Sequence, residues 1–146
     1  MTPGRITEHF TLEEFTHSQT AARNGIDNSV PEALMPNLLR LAEMLEAVRK
    51  VFGRAVFISS GYRCERVNQL VGSTPPSRHC LALAADFTIL PLTPDSVTRT
   101  IAGSELPFDQ VILEFDHWTH LSVAAPGSSP RAQALIIDRA GTRLLA

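Results

Sequence analysis

Apolar and polar positions along this chain follow two periods, and the switches between them mark out its elements. From Pro31 to Phe52, the residues Leu34, Leu38, Leu41, Leu45, Val48 and Phe52 recur at spacings of four and three, which predicts one amphipathic helix. Glu43, Glu46, Arg49 and Lys50 fall mostly off that stripe and predict a solvated face. Pro36 falls in the first turns, where it is tolerated or produces an early irregularity. Upstream, Thr11-Leu-Glu-Glu14 is a capping-box pattern that starts a short helix, with Phe10, Leu12 and Phe15 as its buried contacts. Residues 21–28 predict an irregular loop, broken at Gly25.

Elsewhere the period is two. Ala55 to Ser60 is a β-rich run ending at Gly61. Leu83 to Ile89 alternates, with Leu83, Ala85, Phe87 and Ile89 on one face and Ala84, Asp86 and Thr88 on the other. Asp109 to Phe115 and Trp118 to Val123 predict two strands joined by a tight turn at Asp116-His117. In the second, Leu121 and Val123 face the core, leaving Trp118, His120 and Ser122 opposite. Residues 132–138 and 142–146 predict a hairpin turning at 139–141. Two further helices are expected, Cys64 to Val71 closed by Gly72, and Pro94 to about Ile101 with proline in its first turn. Between them, the paired prolines of Ser73-Thr-Pro-Pro-Ser77 require a loop. Helices followed by mainly hairpin-linked strands predict an α+β fold in a single domain spanning 1–146.

Composition narrows the functional classes. The chain has 146 residues, enough for a hydrophobic core without staples, and is 44% hydrophobic and 19% charged. A net charge of -2 gives no general reason to expect nucleic acid, and no nucleic-acid partner is expected, although local basic patches remain open. The N-terminus lacks the apolar run of a secretory signal, and no segment is long and apolar enough for a membrane span. A chain that is cytoplasmic as synthesised is the expectation, and a monomer. Two cysteines, Cys64 and Cys80, adjoin candidate site residues. A disulfide or extra metal ligands are conceivable, but two free thiols in a reducing compartment are favoured.

His79, Asp86 and His120 carry the chemistry. Imidazole and carboxylate suit Zn²⁺, and a catalytic zinc takes three protein ligands and keeps a position for water. Two histidines and one carboxylate leave that position open.

The motifs around them resemble the zinc D-Ala-D-Ala carboxypeptidases of the hedgehog/DD-peptidase fold, particularly the short bacterial and phage form. The resemblance runs from Phe10-Thr-Leu-Glu-Glu-Phe15, Ser18-Gln-Thr-Ala-Ala22 and Gly25-Ile-Asp-Asn28 through Ser60-Gly-Tyr-Arg63, Val67-Asn68 and Ser77-Arg-His79. It continues through Ala85-Asp86 and Phe108-Asp-Gln-Val-Ile-Leu-Glu114 to Trp118-Thr-His120. It implies helices packed on a mainly antiparallel sheet, zinc held by His79, Asp86 and His120, and a peptidoglycan stem peptide as substrate. If a phage-type route releases the protein, it acts at the cell wall.

Glu114 is the candidate general base, able to take a proton from the attacking water and return it to the leaving amine. His117, three residues before the last ligand, is the runner-up. Arg63 resembles the family arginine that faces the substrate, where its fork can hold a carboxylate or stabilise developing charge. Ser77 is a further candidate donor to substrate. Asn68 and Tyr62 read as structural, and Trp118 walls the groove or, the favoured assignment, anchors the core. Ala82 and Ser73 stand where relatives usually have glycine, which bears on loop geometry. The expected activity is hydrolysis of a stem-peptide bond, as a D,D-carboxypeptidase or endolysin. A non-catalytic cell-wall-binding or phage structural module is the alternative, and an amidase or dipeptidase a third.

Overall fold

The computed structural model describes residues 4–73 and 77–145. Most of the proline loop at 73–77 therefore lies outside the described residues. The chain is α+β, and its described residues form five α-helices on a six-stranded mixed sheet.

Helix α1 (Leu12–Thr16) begins with the predicted capping box. Glu14 N–H donates to Thr11 Oγ1, and Thr11 N–H donates back to Glu14 Oε1 at 3.0 Å. Phe10 and Phe15 are fully buried. The next segment is not the loop expected for 21–28. It opens with helix α2 (Gln19–Asn24), whose first turn is capped by Ser18, and Gly25 closes it at φ +62°. Serine ahead of a run containing two alanines is an adequate start signal, and the helix forms on it.

Helix α3 (Met35–Phe52) follows a 3-10 turn at Glu32–Leu34, so the irregularity expected from Pro36 is real and the proline sits in the first turn of α3. Leu38, Leu41, Leu45 and Val48 are fully buried, each worth about 1.5–3 kcal/mol of apolar burial. Glu43 is exposed, as a solvated face requires. Glu46 departs from that expectation. It accepts from the Thr7 hydroxyl, the His9 backbone N–H and His9 Nδ1 at 2.6–2.7 Å, and so ties the N-terminal segment to α3.

Strands β1 (Phe57–Ser60), β2 (Ala84–Thr88), β3 (Gln110–Glu114), β4 (Trp118–Ser122), β5 (Gln133–Asp138) and β6 (Gly141–Leu144) lie in the order β1-β2-β4-β3-β5-β6. Four of the five pairings are antiparallel, and β3 pairs with β5 in parallel. Parity on β2 is as predicted. Leu83, Ala85, Phe87 and Ile89 are fully buried in one core with the α3 stripe and with Val97 and Ile101 of α5 (Pro94–Ala102). The β3–β4 turn is centred one residue earlier than expected. Phe115 and Asp116 both take positive φ, and His117 N–H closes the turn on the Glu114 carbonyl at 3.0 Å.

The parallel β3–β5 pairing starts from a buried carboxylate. Asp109, just ahead of β3, accepts from the Arg131 backbone N–H and, through both oxygens, from its guanidinium at 2.8–3.1 Å. That fixes where β5 enters, and Gln110 and Gln133 then stand in register and share a side-chain hydrogen bond of 2.6 Å. Arg78 reaches the same carboxylate at 3.9 Å. Among the described residues, no helix is long and apolar enough to cross a membrane.

Candidate metal centre

The strand register brings half of the site together. Asp86 on β2 stands directly opposite His120 on β4, and His120 stands opposite Ile112 on β3. Directly opposed residues share a face of the sheet with Cβ atoms about 4.5–5.5 Å apart. Glu114 lies two positions along β3 from Ile112, so it shares that face, with Trp118 as its partner. Both Asp86 and His120 are buried.

His79 arrives from outside the sheet. Helix α4 (Glu65–Leu70) ends at Val71, and Gly72 follows at φ +77°. The chain returns in a 3-10 turn at Arg78–Leu81 that the hydrophobic pattern gave no sign of. Ser77 caps it by accepting from His79 N–H at 3.2 Å. Ala82 closes it at φ +57°, a left-handed conformation that costs a residue with a Cβ about 1 kcal/mol. The loop keeps its turn despite the alanine, and Leu83 leads straight into β2.

The His79 ring has one fixed tautomer. Nδ1 lies 2.7 Å from the Gly61 carbonyl, an oxygen that can only accept, so Nδ1 carries the proton. Nε2 is then the free lone pair, and it faces Asp86 Oδ1 at 3.3 Å. Such an outer hydrogen bond is what commonly orients a metal-ligating imidazole. On His120 it is Nδ1 that meets Asp86 Oδ1, at 2.8 Å. The two rings stand edge to face with centroids 5.1 Å apart. One donor atom from each of His79, Asp86 and His120 lies within 4.8 Å of the others, a set that could hold a metal ion.

Electrostatics favour the ligand states. Burial pushes His79 down and so keeps it neutral, against the opposing pull of Asp86. Burial alone would raise Asp86, but the two histidine rings packed against it, with His120 hydrogen-bonded to its Oδ1, outweigh that and hold the carboxyl well below its usual range. A neutral imidazole and an ionised carboxylate are the forms that bind metals, and a cation would take the place of the proton between His120 and Asp86.

Glu114 lies beside this set, with Oε1 3.7 Å from His120 Nδ1. Burial and then the Asp86 charge raise its pKa, with His120 the first of the groups opposing them. His117 is exposed on the turn and stacks on Trp118.

Arg63, Asp86 and Trp118 share a groove of about 540 Å³ with residues 17–20 and strand β1. Trp118 is therefore a groove wall and not the core anchor favoured from sequence. It is half-buried, and its indole Nε1 has no hydrogen-bond partner among the described residues. Arg63 Nε is likewise buried without a partner. Buried polar groups left unpaired are rare and call for a ligand, a water or a functional reason. Asn68 is buried, and its Oδ1 has no partner among the described residues.

Cys64 and Cys80 are both free and half-buried. Burial raises the Cys80 thiol, with Arg63 opposing, which disfavours the thiolate a metal would need.

The sequence matches the family model described as Peptidase M15 over residues 8–122. The chain belongs to the M15 peptidases, relatives of the zinc D-Ala-D-Ala carboxypeptidases. No curated protein matches it. The match spans α1 to the end of β4 and so includes His79, Asp86, His120 and Glu114, while β5 and β6 lie beyond it. M15 peptidases are zinc-dependent, and the donor set found here suits that metal.

Proposed function

We propose that the chain, residues 1–146, works as one zinc peptidase domain that hydrolyses a peptide bond in peptidoglycan stem peptides. One observation carries the proposal. His79 Nε2, Asp86 Oδ1 and His120 Nδ1 converge as a three-ligand set in a chain of the M15 family. Among the described residues no fourth ligand joins the set, the pattern of a catalytic site and not of a closed structural one. Zinc held there supplies Lewis acidity and lowers the pKa of a bound water toward 7.

The protein's own groups do the rest. Glu114, raised above an ordinary glutamate by burial and by Asp86, takes the proton of the attacking water and returns it to the leaving amine. Arg63 lines the groove, and its guanidinium is suited to a substrate carboxylate or to the oxygen on which charge builds. The Ser77 hydroxyl accepts from His79 N–H and keeps its own proton to donate to substrate. The site works in a soluble monomer at the cell wall, either as a D,D-carboxypeptidase or in the manner of a phage endolysin.

The test is incubation of zinc-loaded protein with muropeptides of varied stem composition, with products weighed by mass spectrometry. Glu114→Gln should keep its zinc and lose about 10²–10⁴-fold in turnover. A wild-type protein that releases nothing would turn the assignment toward a non-catalytic wall-binding module. Undiminished turnover in Glu114→Gln would move the base to His117.

A further inference from the structure

The residues Gly61 to Cys64 lie between β1 and α4 in neither helix nor strand, yet two parts of the site depend on them. Gly61 offers the carbonyl that sets the His79 tautomer, and Arg63 carries the guanidinium on the groove wall. A turn outside regular structure has no ladder to satisfy its backbone groups, so something else must pair them once they are buried.

Asn28 does this. It is buried, three residues beyond the Gly25 cap of α2. Its Nδ2 donates to the Thr16 and Tyr62 carbonyls, both at 3.0 Å, and its Oδ1 accepts from Cys64 N–H at 2.8 Å. Two carbonyls and one N–H fix which end of the amide is which. The Tyr62 carbonyl belongs to the peptide unit before Arg63, and Cys64 N–H to the unit after it. One side chain therefore grips both peptide units that flank Arg63 and ties them to the end of α1.

The remaining backbone groups complete the hold. Tyr62 N–H donates to the Phe15 carbonyl at 2.7 Å, and Arg63 N–H donates to the His79 carbonyl at 3.1 Å.

We infer that Asn28 is a positioning residue for both halves of the site. It fixes the turn so that the Gly61 carbonyl meets His79 Nδ1 and Arg63 faces the groove. The inference rests on the zinc-peptidase reading for what these two groups do. It predicts a loss that general destabilisation does not reproduce.

The experiment measures zinc affinity by chelator competition for wild type, Asn28→Ala and the milder Asn28→Ser. Val48→Ala, in the α3 core, serves as a control for thermal destabilisation. Asn28→Ala should weaken zinc binding about 10–100-fold, the usual effect of removing outer support from a metal ligand, and Asn28→Ser by less. Val48→Ala should stay within about twofold of wild type at a comparable melting temperature. If Asn28→Ala fails to fold, the Asn28→Ser value against the same control decides. Zinc affinity unchanged in the Asn28 variants, or an equal loss in Val48→Ala, overturns the inference.

The Arg63 half is read at saturating zinc as kcat/KM. Asn28→Ala should cost about 10-fold or more in wild type and under about twofold in an Arg63→Ala background, because effects that pass through one group are not additive. Equal losses in both backgrounds overturn that half. If wild type cleaves nothing, the peptidase reading fails, and the zinc measurement still decides the role of Asn28.

Discussion

The site is built in two ways, and the two halves differ in what holds them. Asp86, His120 and Glu114 sit on adjacent strands, where antiparallel register places them on one face. His79 and Arg63 sit on a short 3-10 turn and an irregular turn, held by hydrogen bonds to the Gly61 carbonyl, the Ser77 hydroxyl and, on both sides of Arg63, the Asn28 amide. A strand-borne ligand fails only if its own side chain is changed. A loop-borne ligand can fail through residues that never touch the metal. The contrast can be broken from either side.

The largest effect belongs to the strand half. Asp86→Ala removes the oxygen that both histidines face, and zinc affinity should fall by more than the roughly 100-fold upper range for supporting residues. Chelator competition reads this directly, and an affinity near wild type would mean that Asp86 is not a ligand.

Gly61→Ala tests the loop half without touching a ligand. A Cβ there would meet the Phe15 carbonyl oxygen at 2.6 Å and its Cα at 2.8 Å, so the turn must shift. Stability should drop by about 1–3 kcal/mol, as for overpacking, and zinc affinity by about 10–100-fold through the displaced carbonyl. Denaturant titration with parallel zinc competition checks both. Lost stability with intact affinity would show that His79 does not need that carbonyl.

The smallest effect lies outside the site. Hydrogen bonds from Arg131 hold Asp109 below its ordinary range, against burial. A depressed carboxyl stabilises the fold fully above the unfolded pKa of about 3.9 and loses that contribution as pH falls through the lower folded value. Asp109→Asn should therefore cost about 1–2 kcal/mol at neutral pH, allowing for the half-exposed Arg131. The gap to wild type should narrow below about pH 4. A gap independent of pH would mean that Asp109 stabilises by shape and not by charge.

The same division explains what was legible in the sequence. Period-two alternation put Asp86 and His120 opposite their strands' apolar neighbours, and the structure places both on the same face. The α3 stripe was equally plain, because a period extended over many residues leaves little choice of face. The loop half has no period. The turn at Arg78–Leu81, the Gly61 carbonyl and the role of Asn28 depend on contacts between segments far apart in the chain, which local pattern does not encode. Asn28 was visible only as part of a motif without a stated task. Trp118 was misplaced for a related reason. Its parity was read correctly, but that face of β4 borders a groove and not a second core layer. Helix α2 is only six residues long, too short for a period to show, and its one local signal is the Ser18 cap.

In the proposed function, two histidines and one carboxylate, with no thiolate, hold a single zinc ion. X-ray absorption at the zinc edge of the purified protein, alongside elemental analysis, tests it most directly. The expected result is about one zinc per chain and a shell of nitrogen and oxygen donors only, at about 2.0–2.2 Å. A sulfur shell at about 2.3 Å would bring Cys64 or Cys80 into the site and contradict the assignment.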